Sequence, residues 1–366
     1  MRRAPYALIA VAVAAVGLLA LRDTDAFLRP DFWAEDGRAF FRGWNMFGWS
    51  SFIEPYAGYL HLMPRIVAAA AGLLPLEWTL VVFLVGAAAF SAWASVTLFL
   101  CLPGPAAWLG ALTPLLAFGG SEVLGTPTNL QWITAIALAA IAVSAPGGTA
   151  NKAAMVVIAG LSGPFSLIYL PVFATRLWLL RTHRPEVIVC ALALLCGAIQ
   201  GGFILSQPQA GGGTLGLATL GTAGDLVKAS VGSSWGLVAL AAATAGLAAG
   251  TYRLPRIGLA VLAGLVLAGI AVKFAPMPDM FAGGDVGHRY WYVPSGLLLL
   301  SLALMLAEPG RWLRRAGAVG TVAFLLGYAY QPFLVPEPIH YGSWEQGIRD
   351  GVYRYPPDKT VPVPRR

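Results

Sequence analysis

The chain is predicted to be an all-α polytopic membrane protein, and three observations support this fold class. Of its 366 residues, 58% are hydrophobic and only 11% are charged, and the mean hydropathy is +0.70. A soluble domain of this length could not remove so much apolar surface from water. The apolar residues form long runs, and the lysines and arginines gather in the short connections between them, which is the positive-inside pattern.

The apolar runs define the expected helices in order. Those of spanning or near-spanning length lie at residues 5–21, 77–100, 105–119, 130–145, 152–180, 187–205, 230–250, 257–274, 291–307 and 316–333. The strongly basic connections, expected on the cytoplasmic side, are Arg2 and Arg3 and residues 176–184, 253–256 and 311–315. The segments expected on the opposite side are the loops 22–59, 206–229 and 275–290 and the tail from residue 334.

One part of this topology has two solutions. Either residues 60–74 cross the membrane and 152–180 form one long helix, or 60–74 lie along the surface and 152–180 break at Ser162-Gly-Pro-Phe165. The second solution is preferred, because 60–74 is short for a crossing and a Gly-Pro pair interrupts helices. Both solutions give about eleven crossings, but only the second places Glu122 and Trp132 on the outer side.

Composition also argues against several other classes of protein. The formal net charge is +7, but no basic run with interleaved aromatic residues is present, so nucleic acid is not an expected partner. The three cysteines, Cys101, Cys190 and Cys196, lie within or beside apolar runs without zinc-ligand spacing, which is typical of packing thiols. The N-terminal run continues into Leu21-Arg-Asp-Thr-Asp without a small-residue cleavage site, so it is expected to be a retained first span.

The first outer loop carries the strongest chemical signal. Its acidic residues, out of seventeen in the chain, are Asp23, Asp25, Asp31, Glu35, Asp36 and Glu54. The segment Asp31-Phe-Trp-Ala-Glu-Asp-Gly37 places three carboxylates beside aromatic rings. A carboxylate there could accept a proton from an incoming hydroxyl, a step worth roughly 10²–10⁴-fold in rate. The alternative is a solvated interfacial helix with an ordinary surface ion pair between Glu35 and Arg38.

Aromatic spacing in the same loop predicts a helix at the membrane interface. Trp33, Phe40, Trp44 and Phe47 recur at helical offsets, which would place their rings on one face among the lipid headgroups.

The next segment, Glu54-Pro-Tyr-Ala-Gly-Tyr-Leu-His-Leu-Met-Pro-Arg65, predicts a binding site for phosphate. His61 and Arg65 lie one helical turn apart, and the planar guanidinium of arginine can donate two parallel hydrogen bonds to phosphate. Tyr56 and Tyr59 of this segment are candidates for binding sugar or acceptor. An arginine that only reaches the headgroups from the interface is the alternative.

Two later segments complete the set of candidate residues. Gly287-His-Arg-Tyr-Trp-Tyr-Val-Pro294 sets His288, Arg289 and Tyr290 at the entrance of a late helix, either for an anionic headgroup or as an aromatic belt. Ser121-Glu-Val-Leu-Gly-Thr-Pro-Thr-Asn-Leu-Gln-Trp132 places polar groups at the mouth of another helix. Their side chains could bind a sugar or serve as a helix cap and an interface anchor, the candidates being Glu122, Asn129, Gln131 and Trp132, together with Asp31 of the first loop.

Short phrases in this sequence resemble the GT-C glycosyltransferases, in particular bacterial members grouped near O-antigen glucosyltransferases and protein mannosyltransferases. The phrases are Phe32-Trp-Ala-Glu-Asp-Gly37, Pro55-Tyr-Ala-Gly-Tyr-Leu-His61, Leu161-Ser-Gly-Pro-Phe165 and Arg289-Tyr-Trp-Tyr-Val-Pro294. The resemblance implies a GT-C-like bundle over residues 1–333, with interfacial helices in the first outer loop (22–76), and a short extracytoplasmic tail (334–366). It implies a bacterial plasma-membrane enzyme of envelope polysaccharide biosynthesis.

The resemblance also implies a mechanism. A hexosyl or pentosyl group would pass from a polyprenyl-phosphate carrier to an acceptor hydroxyl of a glycan, lipid or protein at the outer face, with inversion. Asp36, with Glu35 close behind, occupies the place of the general base. Glu122 has no Asp-x-Asp companion, which favours the branch of the family that needs no metal, and no cofactor is expected.

The main competing interpretation is a transporter or flippase of a lipid-linked or anionic solute. Such a protein is expected to carry polar or ionisable groups deep inside its helices. The few candidates, Lys273 and Gln200, lie near helix ends, and the acidic residues gather in one loop, so the transferase is preferred.

Overall fold

A computed structural model describes residues 4–207, 234–274, 287, 289–327 and 340–364, except for the side chain of Ser121. The described chain is mostly helical, as an all-α membrane protein should be. Five helical segments in it are long and apolar enough to cross a membrane, namely Pro5–Arg22, Leu76–Cys101, Arg184–Ser206, Arg253–Phe274 and Arg289–Leu306. Other apolar helices have 10–17 residues, so helix length does not establish the expected count of about eleven crossings.

The helices follow the predicted apolar runs closely. In chain order they are α1 (Pro5–Arg22), α2 (Thr24–Leu28), α3 (Arg42–Phe47), α4 (Leu62–Gly72), α5 (Thr79–Cys101), α6 (Ala106–Leu116), α7 (Leu130–Val143), α8 (Thr149–Gly160), α9 (Phe165–Ile168), α10 (Leu170–Leu179), α11 (Arg184–Ser206), α12 (Ser234–Gly246), α13 (Arg253–Phe274), α14 (Arg289–Leu306), α15 (Arg311–Gly327) and α16 (Trp344–Asp350). A hairpin of two short antiparallel strands, β1 (Val352–Tyr355) and β2 (Lys359–Pro362), follows α16.

Two helices form the centre of the bundle. α14 is buried along 83% of its length and packs against α6, α7, α12, α13 and α15. α7 is buried on all sides from Leu130 to Ala142. Helices that are apolar all round belong in an interior. The outlying α1, by contrast, is buried over only 22% of its length, so most of its apolar surface is free to face lipid.

The predicted interruption of the run 152–180 is present. α8 ends at Gly160 and α9 starts at Phe165, with Ser162 and Pro164 in the gap between them. The start of α4 is hydrogen-bonded to this gap. The Leu62 amide donates to the Leu161 carbonyl oxygen (3.0 Å), and the Met63 amide donates to Ser162 Oγ (2.8 Å). α4 has 11 residues and is therefore about 16 Å long, roughly half the thickness of a bilayer core.

The aromatic face expected of the first loop does not form. Residues Asp36–Phe41 make a π-helical turn and Gly48–Ile53 a 3₁₀ helix, so positions spaced for an α-helix no longer share a side. Phe40 is fully buried, whereas Phe47 is half-exposed. The exposed apolar side chains of residues 22–78 include Met46, Phe47, Trp49, Ile53, Leu73 and Trp78.

The described part of the expected tail, residues 340–364, is folded. α16 and the β1–β2 hairpin form a second apolar core with the first loop and the start of α5, built on Phe32, Phe41, Phe83, Trp344 and Tyr355. Trp344 Nε1 also donates to the Leu76 carbonyl oxygen (2.7 Å). The tail and the first loop therefore lie at the same end of the bundle, which we name the first-loop end.

At the opposite end, buried ion pairs close the turns between helices. Glu186 accepts from Arg176 Nη2 (2.6 Å) and Lys152 Nζ (3.2 Å), and its carboxylate also receives the Gly147 amide (2.9 Å). Arg176 donates to the Ser144 carbonyl oxygen (2.6 Å) just after α7. Positive charge at the carboxyl end of a helix, and a carboxylate on free amides, satisfy groups that the helix ends leave unpaired.

A second buried ion pair closes another turn between helices in the same way. Arg256 and Glu308 are both buried and lie 2.5 Å apart. Arg256 donates to the Gly246 carbonyl oxygen at the end of α12, and Glu308 accepts from the amides of Thr251 and Tyr252 (2.8 Å each). These buried charges lie at helix ends and each is paired, so they close the turns rather than line a path through the bundle.

Candidate functional site

The site begins at a tight turn in the first loop, just before its two adjacent carboxylates. Ala34 has a positive φ of 47°, and its amide donates to the Pro356 carbonyl oxygen (3.0 Å). The Asp36 amide donates to the Trp33 carbonyl oxygen (3.0 Å), and the π-helical turn starts at Asp36. π-helical turns are frequent at functional sites. The turn directs the side chains of Glu35 and Asp36 into different surroundings.

Asp36 points into the protein and is only 1% exposed. Its Oδ1 accepts from the Thr128 amide (2.9 Å) and hydroxyl (2.6 Å). Its Oδ2 accepts from the Thr126 hydroxyl (2.8 Å) and from the Trp33 amide (3.3 Å). Burial raises the pKa of Asp36 to about 6, and these hydrogen bonds offset only part of that effect. The carboxylate therefore fastens the first loop to the 126–128 segment.

Glu35 lies on the accessible side of the same turn. Its side chain is 17% exposed and forms an ion pair with Arg38 at 3.3 Å. The hydroxyl of Tyr56 lies within hydrogen-bonding reach of both side chains. Glu35 is thus oriented by neighbours while remaining open to a bound molecule.

The late segment contributes a cation to the same region. Arg289, the first residue of α14, forms an ion pair with Glu122 at 3.4 Å, and both side chains are partly exposed. The charge of Glu35 also acts on Arg289. The Arg289 guanidinium lies 5.3 Å from the centre of the Tyr290 ring, an arrangement that stabilises a cation.

Tyr59, Gln131 and Trp132 lie beside Arg289 and Tyr290. The Gln131 side chain hydrogen-bonds with the Tyr59 hydroxyl, and burial raises the pKa of Tyr59 to about 12. The indole of Trp132 meets the Tyr290 ring edge-on at 5.5 Å. Within the described residues, Gln131 Oε1 and Trp132 Nε1 are buried and lack a hydrogen-bond partner. Such atoms usually have water or a ligand as a partner.

Four segments that are distant in sequence therefore meet at this site. Glu35 comes from the first loop, Tyr56 and Tyr59 from the next segment, Gln131 and Trp132 from the start of α7, and Arg289 and Tyr290 from α14.

His61 and Arg65 lie beside the site but face inward. The His61 ring stacks on Tyr59 at 4.5 Å, and burial lowers the pKa of His61 to about 3, so the imidazole is neutral. Arg65 donates to the carbonyl oxygens of Ala39 (3.1 Å) and Glu54 (3.2 Å). In this conformation neither side chain presents a positive charge to a ligand, and both hold the first loop in shape.

Asp31 and Asn129 also have structural partners. His340 bridges two carboxylates of the first loop, with Nε2 at 2.9 Å from Asp25 and Nδ1 at 3.4 Å from Asp31, and the Tyr353 hydroxyl donates to Asp31 (2.9 Å). Burial raises the pKa of Asp31 to about 6. Asn129 donates to the Glu122 carbonyl oxygen and thereby shapes the turn that presents Glu122. His288 lies outside the described residues.

Thr126, Thr128 and Tyr355 were missed by sequence reasoning. Thr126 and Thr128 flank a proline at a helix start, which is an ordinary capping pattern. Nothing local indicates that their partner is Asp36, 90 and 92 residues earlier. Tyr355 belongs to a segment that hydropathy alone assigns to a polar tail.

An apolar cavity of about 270 Å³ lies between α12, α13 and α14. It is lined by Leu240, Leu247, Leu259, Leu267, Pro294 and Ser301, among others. Lys273 and Arg289 lie about 9 Å and 8 Å farther along their helices than Leu267 and Pro294, at 1.5 Å per residue. Lys273 sits 5.4 Å from the Phe274 ring, which packs against Tyr290 at 4.7 Å. The cavity therefore lies about two helical turns from two cations, Lys273 and Arg289, on two of the same helices.

Among the described residues, no three His, Cys, Asp or Glu side chains lie close enough together to hold a metal ion. Comparison of the chain with protein-family models, with curated proteins and with solved structures gives no match.

Proposed function

We propose that this protein is a membrane glycosyltransferase of GT-C type that moves a sugar from a polyprenyl-phosphate carrier to an acceptor hydroxyl. The observation that carries the proposal is the meeting of an accessible carboxylate, Glu35, with a cation, Arg289, in a site that also contains Tyr59, Gln131 and Trp132. Transfer from a phosphate carrier needs a base for the acceptor and positive charge for the leaving group.

Glu35 is the better placed of the two carboxylates to take the proton. Asp36 is buried and accepts its hydrogen bonds from protein donors, whereas Glu35 is partly exposed. In the proposed step the acceptor hydroxyl loses its proton to Glu35 and its oxygen attacks the anomeric carbon of the sugar. The bond from that carbon to the phosphate oxygen breaks, and its electron pair leaves with the phosphate. A single displacement inverts the anomeric centre. Asp36 holds the turn that aims Glu35.

Arg289 is the candidate for the leaving phosphate. Charge-assisted hydrogen bonds from a guanidinium to phosphate are short and strong, and a cation held in place beforehand stabilises negative charge as it develops on the phosphate. The ion pair with Glu122 holds the guanidinium in place before the donor binds. We assign only the isoprene units next to the phosphate to the apolar cavity between α12, α13 and α14, with the rest of the carrier chain in the lipid.

The aromatic and amide side chains are suited to the sugar. Trp132 and Tyr290 place aromatic rings at the site, and the Gln131 carbonyl oxygen and the Trp132 indole N–H have no partner among the described residues. A hexose or pentose hydroxyl supplies both a donor and an acceptor. A bound sugar would therefore satisfy buried groups that the protein leaves unpaired.

The family resemblance implies a bacterial plasma-membrane location, which is part of the proposal. The proposed orientation has the N-terminus cytoplasmic and the site extracytoplasmic, and the distribution of lysine and arginine supports it. The exposed cations Arg181, Arg184, Arg311, Arg314 and Arg315 lie in connections opposite the first-loop end. The acceptor, whether glycan, lipid or protein, would approach from the first-loop end.

The structure offers less support for a transporter. Translocation paths need ionisable groups inside the bundle, but the fully buried charges of Glu186, Arg256 and Glu308 lie at helix ends and are each paired.

The proposal is tested by Glu35→Gln. Purified protein in liposomes is given a panel of radiolabelled undecaprenyl-phosphate hexoses and pentoses, with membranes of the host cell as the source of acceptor. We expect Glu35→Gln to lose transfer by at least a hundredfold, because glutamine cannot accept the proton, and to keep its expression and unfolding temperature. Glu77→Gln, which changes an exposed carboxylate beside α5, is the matched control and should stay active. Full activity of Glu35→Gln would refute the assignment of Glu35 as base.

A further inference from the structure

The C-terminal hairpin closes over the turn that carries the two carboxylates. The Ala34 amide donates to the Pro356 carbonyl oxygen (3.0 Å), and the Ala34 carbonyl oxygen accepts from the Tyr355 hydroxyl (3.0 Å). Both polar groups of this one peptide residue are therefore satisfied by the hairpin. The segment before the hairpin is also tied to the first loop, because His340 contacts Asp25 and Asp31.

Tyr355 makes the closest contacts with the turn. Its side chain is fully buried, and its hydroxyl accepts from the Arg38 amide (2.8 Å) while donating to Ala34. A Cβ on Gly37 would lie only 2.7 Å from the Tyr355 ring, so the ring lies directly against the backbone at Gly37. One phenol thus contacts the chain on both sides of Glu35 and Asp36.

The backbone of this turn needs such support. A positive φ at alanine is disfavoured because its Cβ crowds the backbone, and such conformations persist only where the surroundings enforce them. The hairpin supplies that enforcement through three hydrogen bonds to Ala34 and Arg38. The conformation at Ala34 in turn sets Asp36 toward the threonines and leaves Glu35 on the accessible side.

We propose that Tyr355 is a positioning residue for Glu35, and that the C-terminal hairpin is thereby an integral part of the transferase site. The proposal rests on the proposed function. Tyr355 touches neither Glu122 nor Arg289 in the described contacts, so it aims the base without helping to bind the donor phosphate. Loss of its hydroxyl should therefore lower kcat and leave the donor KM unchanged.

The test compares Tyr355→Phe with Tyr353→Phe in the full-length protein. Both substitutions remove one buried hydroxyl from the same strand, but the Tyr353 hydroxyl contacts Asp31 and not the turn. We expect Tyr355→Phe to lower kcat by on the order of 10- to 100-fold, as small misplacements of reacting groups do. Tyr353→Phe should retain the kcat of the wild type.

Hydrogen exchange provides a second readout that needs no activity. The Arg38 amide loses its acceptor in Tyr355→Phe, so exchange in a peptide covering residues 33–41 should become faster in that variant only. Unchanged exchange would show that Tyr355 does not hold the turn. Faster exchange with an unchanged kcat would show that Tyr355 holds the turn but does not position Glu35 for transfer, and would refute the proposal. A wild-type protein without transfer activity would refute the proposed function, and with it the proposal that Tyr355 positions Glu35 for transfer. The exchange result would still decide whether the hairpin holds the turn.

Discussion

Replacing Asp36 by asparagine should have an effect on stability that reverses with pH. Asp36 is buried and accepts hydrogen bonds from Trp33, Thr126 and Thr128, so a first expectation would be that any substitution destabilises the loop. Its raised pKa argues otherwise. Burial raises the pKa from 3.8 to about 6, which means that the folded protein resists ionisation of this group.

The magnitude follows from that pKa. A difference of about two pKa units corresponds to about 3 kcal/mol. The contribution of Asp36 to the free energy of unfolding is fully present below pH 4 and is lost as the pH rises through 6, because the folded state holds the proton more tightly than the unfolded state. Asparagine is neutral at every pH and has no such dependence.

The free energy that the asparagine amide costs in the folded protein must be compared with this contribution. Its NH₂ group must replace one carboxylate oxygen. Placed at Oδ2, it can donate to the Thr126 hydroxyl, which can rotate to accept, but it cannot accept from the Trp33 amide, which loses its 3.3 Å hydrogen bond. One buried unpaired N–H costs about 1–3 kcal/mol. Asp36→Asn should therefore be less stable than the wild type near pH 4, and equally or more stable above pH 7.

Thermal unfolding in detergent between pH 4 and pH 8 measures this reversal. The difference in Tm between the two proteins should change by on the order of 5 °C across that range, while the Thr126→Val variant, which keeps the carboxyl group, should retain a pH dependence. Parallel Tm curves for the wild type and Asp36→Asn would refute the reasoning, since they would show that the carboxyl group titrates as it does in water.

Two further predictions concern the donor and the topology. Arg289→Ala should raise the donor KM about tenfold or more, because a hydrogen bond to a charged group contributes about 1.5–3 kcal/mol, whereas Arg42→Ala, which removes an exposed cation at the same end, should not. An unchanged KM in Arg289→Ala would leave Arg289 as an aromatic-belt residue. Ser50→Cys should react with a membrane-impermeant maleimide on intact cells, and Thr182→Cys, at the opposite end, only after lysis. The reverse pattern would invert the proposed orientation.

The helices were predictable from the sequence because their signal is local. Each apolar run is continuous in the chain, and the interruption between α8 and α9 is marked by adjacent residues, Gly163 and Pro164. The number of crossings was less predictable, since α4 and α10 are apolar but have only 11 and 10 residues. The sequence alone does not show that α4 and α10 are shorter than a full membrane span, because their ends are defined only in the folded chain.

The predicted topology brought the segments of the site together, but it did not predict which of their side chains face a ligand. Placing Glu35, Gln131 and Arg289 on one side of the bundle already brings their segments to one end. Whether a charged side chain faces a ligand or the interior depends on partners far away in sequence. Asp36 is buried by Thr126 and Thr128, and no local pattern distinguishes it from its neighbour.

Arg65 shows the same limitation. Its position one turn after His61 is suited to binding phosphate, but two backbone carbonyl groups of the first loop take its hydrogen bonds. The C-terminal segment was overlooked for a different reason. Its strands have only four residues each, and the alternation that buries Tyr353 and Tyr355 is too short to stand out.

The contact between the hairpin and the first loop also determines when, during synthesis, the turn at Ala34 can gain its hydrogen bonds. Ala34 and Tyr355 are 321 residues apart, so at about 5–20 residues per second the ribosome takes roughly 15–60 s to make the phenol that holds the earlier peptide. Throughout that interval, every helix of the bundle can be inserted while the acidic turn remains without its support. A polypeptide that stops short of residue 355 would therefore reach the membrane without the hydrogen bonds that hold the turn at Ala34.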